Sequence, residues 1–347
     1  MPHRIAIIGA TTALGREIVK TLAEREFPVS LAHALASGRA LGQQLSFGDD
    51  IVLTVRAIDA FDFTTVDLAI FAGARAMSAT HAPRAAAAGC VVIDCTEEFR
   101  MEAGIPLVIP EVNPQAIKAI PKRRIIANPT SAVVPMLMAL KPMHGLARIK
   151  RISVATYQSV SEAGKESMDE LWSQTRAMFV NEMPPPEHFP KQIAFNCIPQ
   201  TDTIAGDGAT RTETAMAQET RKILDPDIAV MATCVRVPVF IGTAAAVHVE
   251  FEGAVTEAEA RAAWRAAPGV TLLDTREDGG YTTPAETVGE DSVYVSRLRR
   301  DPSVPFGLAF WCTADNLRKG GALNAVQIAE ALRRNGLIGE APTAKTS

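Results

Sequence analysis

Residues 125–142, IIANPTSAVVPMLMALKP, constrain this chain more than any other stretch. An apolar pair runs into Ala127-Asn128-Pro129. Pro129 has no N–H to give a strand or a helix interior, and its ring pushes Asn128 toward an extended backbone. Thr130 and Ser131 follow, residues that suit a helix N-cap, and then a long apolar run. The pattern predicts a strand-to-helix turn with Ser131 on it. Backbone N–H groups left free at such a helix start point at whatever binds there, and they can hold a developing oxyanion.

A second turn lies near the start of the chain, in residues 4–15, RIAIIGATTALG. Ile5, Ala6, Ile7 and Ile8 predict a short buried strand, Gly9 the turn, and the apolar spacing from Leu14 to Leu22 a helix. This is the pattern of a dinucleotide-binding βα turn. Gly9 lets the backbone approach a pyrophosphate, and Gly15 allows the helix to pack closely on the strand. Thr12 stands where a middle glycine is usual, so its Cβ crowds a phosphate or its hydroxyl donates to one. Gly9, Thr11, Thr12 and Gly15 are therefore candidate cofactor-binding residues. Arg39 ends the second strand, with no Asp or Glu there, which favours NADP over NAD.

At 347 residues the chain is long enough for two cores. A net charge of −4 recruits neither nucleic acid nor an anionic membrane, and no apolar run approaches the length of a membrane span. Five scattered cysteines have no metal or disulfide spacing, and the N-terminus lacks a signal-peptide plan, so the expectation is a cytoplasmic protein without a metal.

From Ile5 to about Leu332 the chain resembles the aspartate-β-semialdehyde dehydrogenases. Their nucleophile turn reads roughly Ala-Asn-Pro-Asn-Cys, and here Ala127-Asn128-Pro129-Thr130-Ser131 puts Ser131 at the family's Cys. The resemblance implies a Rossmann-type doubly wound nucleotide-binding domain over 1–130 and an α+β substrate and dimerisation domain with a mostly antiparallel sheet over 131–314. A C-terminal helix, 315–338, would pack back on the first domain, and the last residues, from Gly339, would be frayed. It also implies a homodimer formed through the second domain's sheet. Arg39 falls at the Arg that reads the 2′-phosphate of NADP. Arg100 falls at the Arg that binds the substrate phosphate, Gln158 at the Gln that orients the substrate, and Arg236 at the Arg that holds its carboxylate. Asn128 belongs with these orienting positions. Asn316 and Lys319 would face the cofactor or the seam, and Cys197 would lie in the core.

The departures from the family are as informative. In residues 235–251 the motif Arg-x-Pro-x-x-x-Gly-His-Ser-Glu keeps Arg236, Pro238 and Gly242 but has Thr243 at the acid–base His. His248 falls on the opposite face of the same strand and is read as structural. Thr212 and Ala215 stand where the family has a Glu and a Lys, while Glu213 remains. Arg75 replaces a glycine in a cofactor turn, where it would clash, bind an extra phosphate or lie in solvent. Glu162 replaces another glycine and adds a carboxylate that would repel anionic substrates. Cys95 sits at a strand's C-terminal end and is a candidate displaced nucleophile.

The family reaction needs a thiolate and a neighbouring base, and a serine without a base nearby is a poor substitute. The first expectation is therefore a catalytically silent paralogue, like the family's Usg-type branch. It would keep the fold and dimer, and would bind NADP weakly, take a small acidic metabolite or act on an active family member in a heterodimer. The alternatives are an NADP-dependent oxidoreductase with non-covalent chemistry on a small acidic substrate, and a true dehydrogenase using Ser131 or Cys95.

Overall fold

The computed structural model describes residues 2–180, 182 and 184–338, so the stretch from Gly339 lies outside the described residues. The chain divides into two compact units: one runs to Pro129 and resumes at Gly321, and the other is Thr130–Gly320.

The first unit is built on β1 (His3–Ile8), α1 (Ala13–Glu24), β2 (Val29–Ala36), the hairpin β3 (Gln44–Phe47) and β4 (Ile51–Thr54), β5 (Arg56–Ala57), β6 (Leu68–Phe71), α2 (Arg75–Ala87), β7 (Val91–Asp94) and β8 (Ile125–Ala127). The six strands outside the hairpin form one sheet in the order β5-β2-β1-β6-β7-β8. Every pair in it is parallel. The apolar runs IAII, LAIF, VVI and IIA are buried along their whole length, as strands covered on both faces must be. The sheet order reverses between β1 and β6, the point at which doubly wound sheets open a crevice for ligands. A C-terminal helix, Leu323–Arg334, completes this unit. Its Val326, Ala329 and Leu332 share a core with Ile5 and Ile7 of β1 and Ile18 and Leu22 of α1. A π-helical segment, Arg318–Ala322, precedes it, so the regular helix begins later than position 315.

The second unit carries α3 (Val133–His144), β9 (Ile149–Gln158), α4 (Lys165–Met178), α5 (Arg211–Ile223), β10 (Ala229–Arg236), β11 (Thr243–Phe251), α6 (Glu257–Ala266), β12 (Val270–Leu272), β13 (Val293–Asp301) and β14 (Gly307–Ala314). Its six strands are ordered β10-β9-β11-β14-β13-β12. The three central pairings are antiparallel. The two outer ones, β10 with β9 and β12 with β13, are parallel. The sheet is therefore mixed, with an antiparallel centre.

Period-2 alternation sorts its side chains cleanly. Ile152, Val154 and Thr156 on β9 face the buried side, with Val247 and Val249 on β11 and Phe310 and Cys312 on β14. Helix α3 is apolar nearly all round and buried from Val133 to Leu140, which makes it a core helix. Trp264 of α6 donates its indole N–H to the Ala139 carbonyl at 2.7 Å and meets Phe310 edge-on. The other face of the sheet is open, with Met231, Thr233 and His248 exposed and Tyr157 and Trp311 half-buried in contact.

Candidate functional site

In the first unit the βα turn closes glycine on glycine. Gly9 has φ +76°, and a Cβ there would lie 2.5 Å from the Cα of Gly73 in the turn after β6. Gly15 packs so tightly that a Cβ would fall 2.1 Å from the Gly9 carbonyl oxygen. Both positions admit only glycine. Thr12 is the N-cap of α1 and its hydroxyl accepts from the Gly15 N–H at 2.9 Å. That hydroxyl also lies 2.9 Å from the carbonyls of Gly9 and Ala72, to either of which it donates. Its one donor is therefore spent on the turn. Thr11 is partly exposed beside it, and no acidic residue lies in the first turn of α1. Arg39 stands exposed past the end of β2 with no side-chain partner among the described residues. The glycine turn, the uncrowded helix start and the free arginine all fit a phosphorylated dinucleotide. Arg75 is solvent-facing, donating to Glu98 at 2.6 Å and Glu97 at 3.4 Å.

Two expected substrate positions also belong to this unit. Arg100 donates to the carbonyls of Asn128 at 3.0 Å and Cys95 at 3.2 Å. Asn128 is buried, accepts from the Asn324 amide at 2.6 Å and donates toward Gly321, so its side chain fixes the chain rather than facing a ligand. Cys95 is buried, and burial, with the neighbouring Asp94, raises its pKa far above the usual thiol range, which disfavours the thiolate that a nucleophile needs.

In the second unit, strand register assembles the remaining residues. Arg236 pairs with Gln158 across β10 and β9, and Gln158 pairs with Thr243 across β9 and β11. The three side chains thus form one row on the buried face.

 Arg236 and Thr243 lie 78 and 85 positions from Gln158 in sequence, so it is the sheet pairing that brings the row together. Gln158 and Thr243 are buried, and neither the Gln158 amide nor the Thr243 hydroxyl has a hydrogen-bond partner among the described residues.

Ser131 lies on the turn between β8 and α3, but neither it nor Thr130 caps the helix. Thr130 gives both its backbone N–H, at 2.8 Å, and its hydroxyl, at 2.7 Å, to the buried carboxylate of Glu219. That carboxylate removes one of the backbone donors expected to be free. The Ser131 hydroxyl donates to Glu162, whose other carboxylate oxygen accepts from Arg236 Nη1 at 2.9 Å. The expectation of no base near the serine is thus corrected: Glu162 is in direct contact with it. Gly320 packs on the turn, where a Cβ would fall 2.8 Å from the Ser131 carbonyl oxygen. On the buried face the row next to Arg236 holds Cys234 and Cys312, whose pKa values burial pushes up to about 12, so neither supplies a thiolate.

Asn316, expected near the cofactor, is spent inside the unit. Its side-chain oxygen accepts from Gly242 N–H at 2.7 Å and from the hydroxyls of Ser159 and Ser161. Glu213 closes the capping box of α5 with Thr210, Thr212 and Ala215 lie in the first turns of that helix, and Lys319 is fully buried. His248 faces Asp301 on the open side of the sheet. Cys197 is exposed, not in the core, because it lies in an irregular segment between the buried Ala194 and Ile198. Among the described residues no group of His, Cys, Asp and Glu could hold a metal, and no helix is long and apolar enough to cross a membrane.

A doubly wound nucleotide-binding unit joined to a mixed-sheet unit defines a two-domain NAD(P)-binding protein. The semialdehyde dehydrogenase NAD-binding domain matches residues 4–120, and the semialdehyde dehydrogenase dimerisation domain matches residues 140–319. Aspartate-semialdehyde dehydrogenase of Rickettsia conorii is 43% identical over 333 residues, 96% of this chain and 98% of that protein. Aspartate-semialdehyde dehydrogenase 2 of Vibrio cholerae is 46% identical over 333 residues, 95% of this chain and 98% of that protein. The crystal structure of aspartate semialdehyde dehydrogenase II from Vibrio cholerae complexed with ASA superposes with a TM-score of 0.93 at 44% identity, covering 96% of this chain and 99% of that one. The chain belongs to the aspartate-semialdehyde dehydrogenase family.

Proposed function

We propose that this chain is a family member that has given up the dehydrogenase reaction, a paralogue of the Usg type, while keeping the fold and an NADP site. The observation that carries this reading is the row Arg236, Gln158, Thr243 with Ser131 and Glu162 beside Arg236. It contains binding groups but neither a thiol nor an imidazole. Hydride transfer in this family follows attack of a thiolate on the aldehyde, with the thioester then cleaved by phosphate. Ser131 has a much less acidic proton, and its oxygen ester would be a poorer acyl donor than a thioester. Glu162 accepts from the serine, but its other carboxylate oxygen is engaged by Arg236. Losing one member of a cooperating pair costs several powers of ten in rate, and losing the second adds little.

NADP, when bound, would supply the hydride acceptor. Gly9, Gly15 and the start of α1 would take its pyrophosphate and Arg39 its 2′-phosphate. Gln158 and Arg236 would line the place for a small polar metabolite, as their counterparts do in the family.

The test is phosphate-dependent oxidation of aspartate semialdehyde with NADP. The native chain is expected to be silent. Ser131→Cys combined with Thr243→His and Glu162→Gly is expected to show weak turnover, because positioning supplies much of the rate. Native turnover abolished by Ser131→Ala would overturn the reading. A silent chain that oxidises NADPH with a small keto acid or imine would support the altered oxidoreductase instead.

A further inference from the structure

Arg236 is a buried cation, 4% exposed. Its Nη1 donates to the Ser159 carbonyl at 2.6 Å, and its Nη2 to the Thr201 carbonyl at 3.2 Å. Those carbonyls satisfy donors but do not balance the charge. Among the described residues the only ion pair of Arg236 is with Glu162, 2.9 Å away. A buried charge needs a counter-charge close by. Were Glu162 absent, an external anion would be the natural partner of this guanidinium.

Glu162 is also held in place. It lies in a short turn, Val160–Ala163, whose backbone is tied to the loop after β10. Val160 N–H donates to the Val239 carbonyl at 2.9 Å, and Ser161 N–H to that of Phe240 at 3.1 Å. Asn316 donates to the Ser161 hydroxyl at 2.9 Å. The carboxylate is therefore fixed on Arg236 and Ser131 by a rigid backbone. In the same row the Gln158 amide and Thr243 hydroxyl are buried without hydrogen-bond partners among the described residues. Buried polar atoms of that kind mark a place for a bound molecule or water.

We propose that Glu162 is a built-in occupant of the anion subsite at Arg236, so that the polar site beside Gln158 and Thr243 takes an uncharged ligand and rejects carboxylates. A carboxylate ligand could reach Arg236 only by displacing Glu162 or by sharing the guanidinium with it. The first takes a partly buried carboxylate from its counter-charge, and the second places like charges side by side. An uncharged amide meets neither obstacle, and it offers the donor and acceptor that Gln158 lacks. This deepens the proposed reading of the same site, but its test needs no turnover and so stands or falls separately.

The experiment is calorimetric titration of the full chain with succinate and with its diamide, succinamide. The native chain should bind the diamide more tightly than the dianion. Glu162→Gly should reverse that order, with succinate gaining about tenfold or more in affinity. Adding Arg236→Ala to Glu162→Gly should remove the gain. Glu162→Gln keeps the side chain but not the charge, and it should also gain succinate binding. It carries the test should the glycine variant fail to fold, as judged by thermal melting. A native chain that prefers succinate, or folded Glu162 variants with no gain in succinate affinity, would overturn the proposal.

Discussion

Single residues decide what the nucleotide-binding turn does. Thr12 has the backbone position of a glycine but uses its hydroxyl to cap α1, so its departure from the glycine pattern is absorbed locally. Its two possible roles at the sequence level, crowding a phosphate or donating to it, could not be separated from the motif alone, since N-capping depends on where the helix begins. Arg39 is the opposite case: exposed, unpaired among the described residues and placed by its position after β2. If it reads a 2′-phosphate, the native chain binds NADPH more tightly than NADH. Arg39→Ala should then remove most of that preference, because a charge-assisted hydrogen bond contributes about 1.5–3 kcal/mol, or roughly tenfold or more in affinity. Calorimetric titration with both nucleotides measures it, and an unchanged preference in the variant would assign NADP selectivity elsewhere.

At the scale of elements, what was legible followed local pattern. The apolar runs of β1, β6, β7 and β8 and the glycine that ends β1 are readable because each is contiguous in sequence. Alternation along β11 correctly separated His248 from Thr243. The contact of Ser131 with Glu162 was not readable, because it depends on how α3 and the turn after β9 pack, not on either segment alone. Glu162 was visible as an intruding carboxylate, but its partner was not. The same non-local packing gives the join between α3, β9 and α5 a measurable pH dependence. Arg148 grips Asp225 through Nε at 2.8 Å and Nη2 at 3.0 Å, and the Asp227 N–H adds a third bond at 3.0 Å. The Arg148 hydrogen bonds, then that N–H, bring the Asp225 pKa from 3.8 down to about 2. A folded-state value below the unfolded one means that the stabilisation is fully present above the unfolded pKa and is lost as pH falls through the folded one. The urea midpoint should therefore drop between pH 4 and pH 2 in the native chain and drop less in Asp225→Asn (about the window set by those two values). Equal acid limbs in the two proteins would show that Asp225 does not govern this join.

On the scale of the whole molecule, the division into a doubly wound unit and a mixed-sheet unit was legible through family motifs spread along most of the chain. Composition alone allowed only two cores of unspecified kind. The open face of the second sheet adds an argument that no motif carries. Antiparallel sheets tolerate water on one face when that face is polar. Here it presents Met231, 60% exposed, together with the contacting rings of Tyr157 and Trp311. Apolar and aromatic side chains are enriched at the centres of protein interfaces, and the span that includes this sheet matches a dimerisation domain. The expected species in solution is a homodimer of 37.1 kDa chains joined through that face. Placing a charge at its centre, with Met231→Glu or Trp311→Glu, should shift the equilibrium strongly toward single chains, since an unpaired charge in a buried interface is costly. Light scattering at micromolar concentration reads the outcome directly. A native mass of one chain, or a dimer indifferent to both substitutions, would place the interface off this sheet. Co-purification with an active family member would show instead that the open face pairs with a different chain.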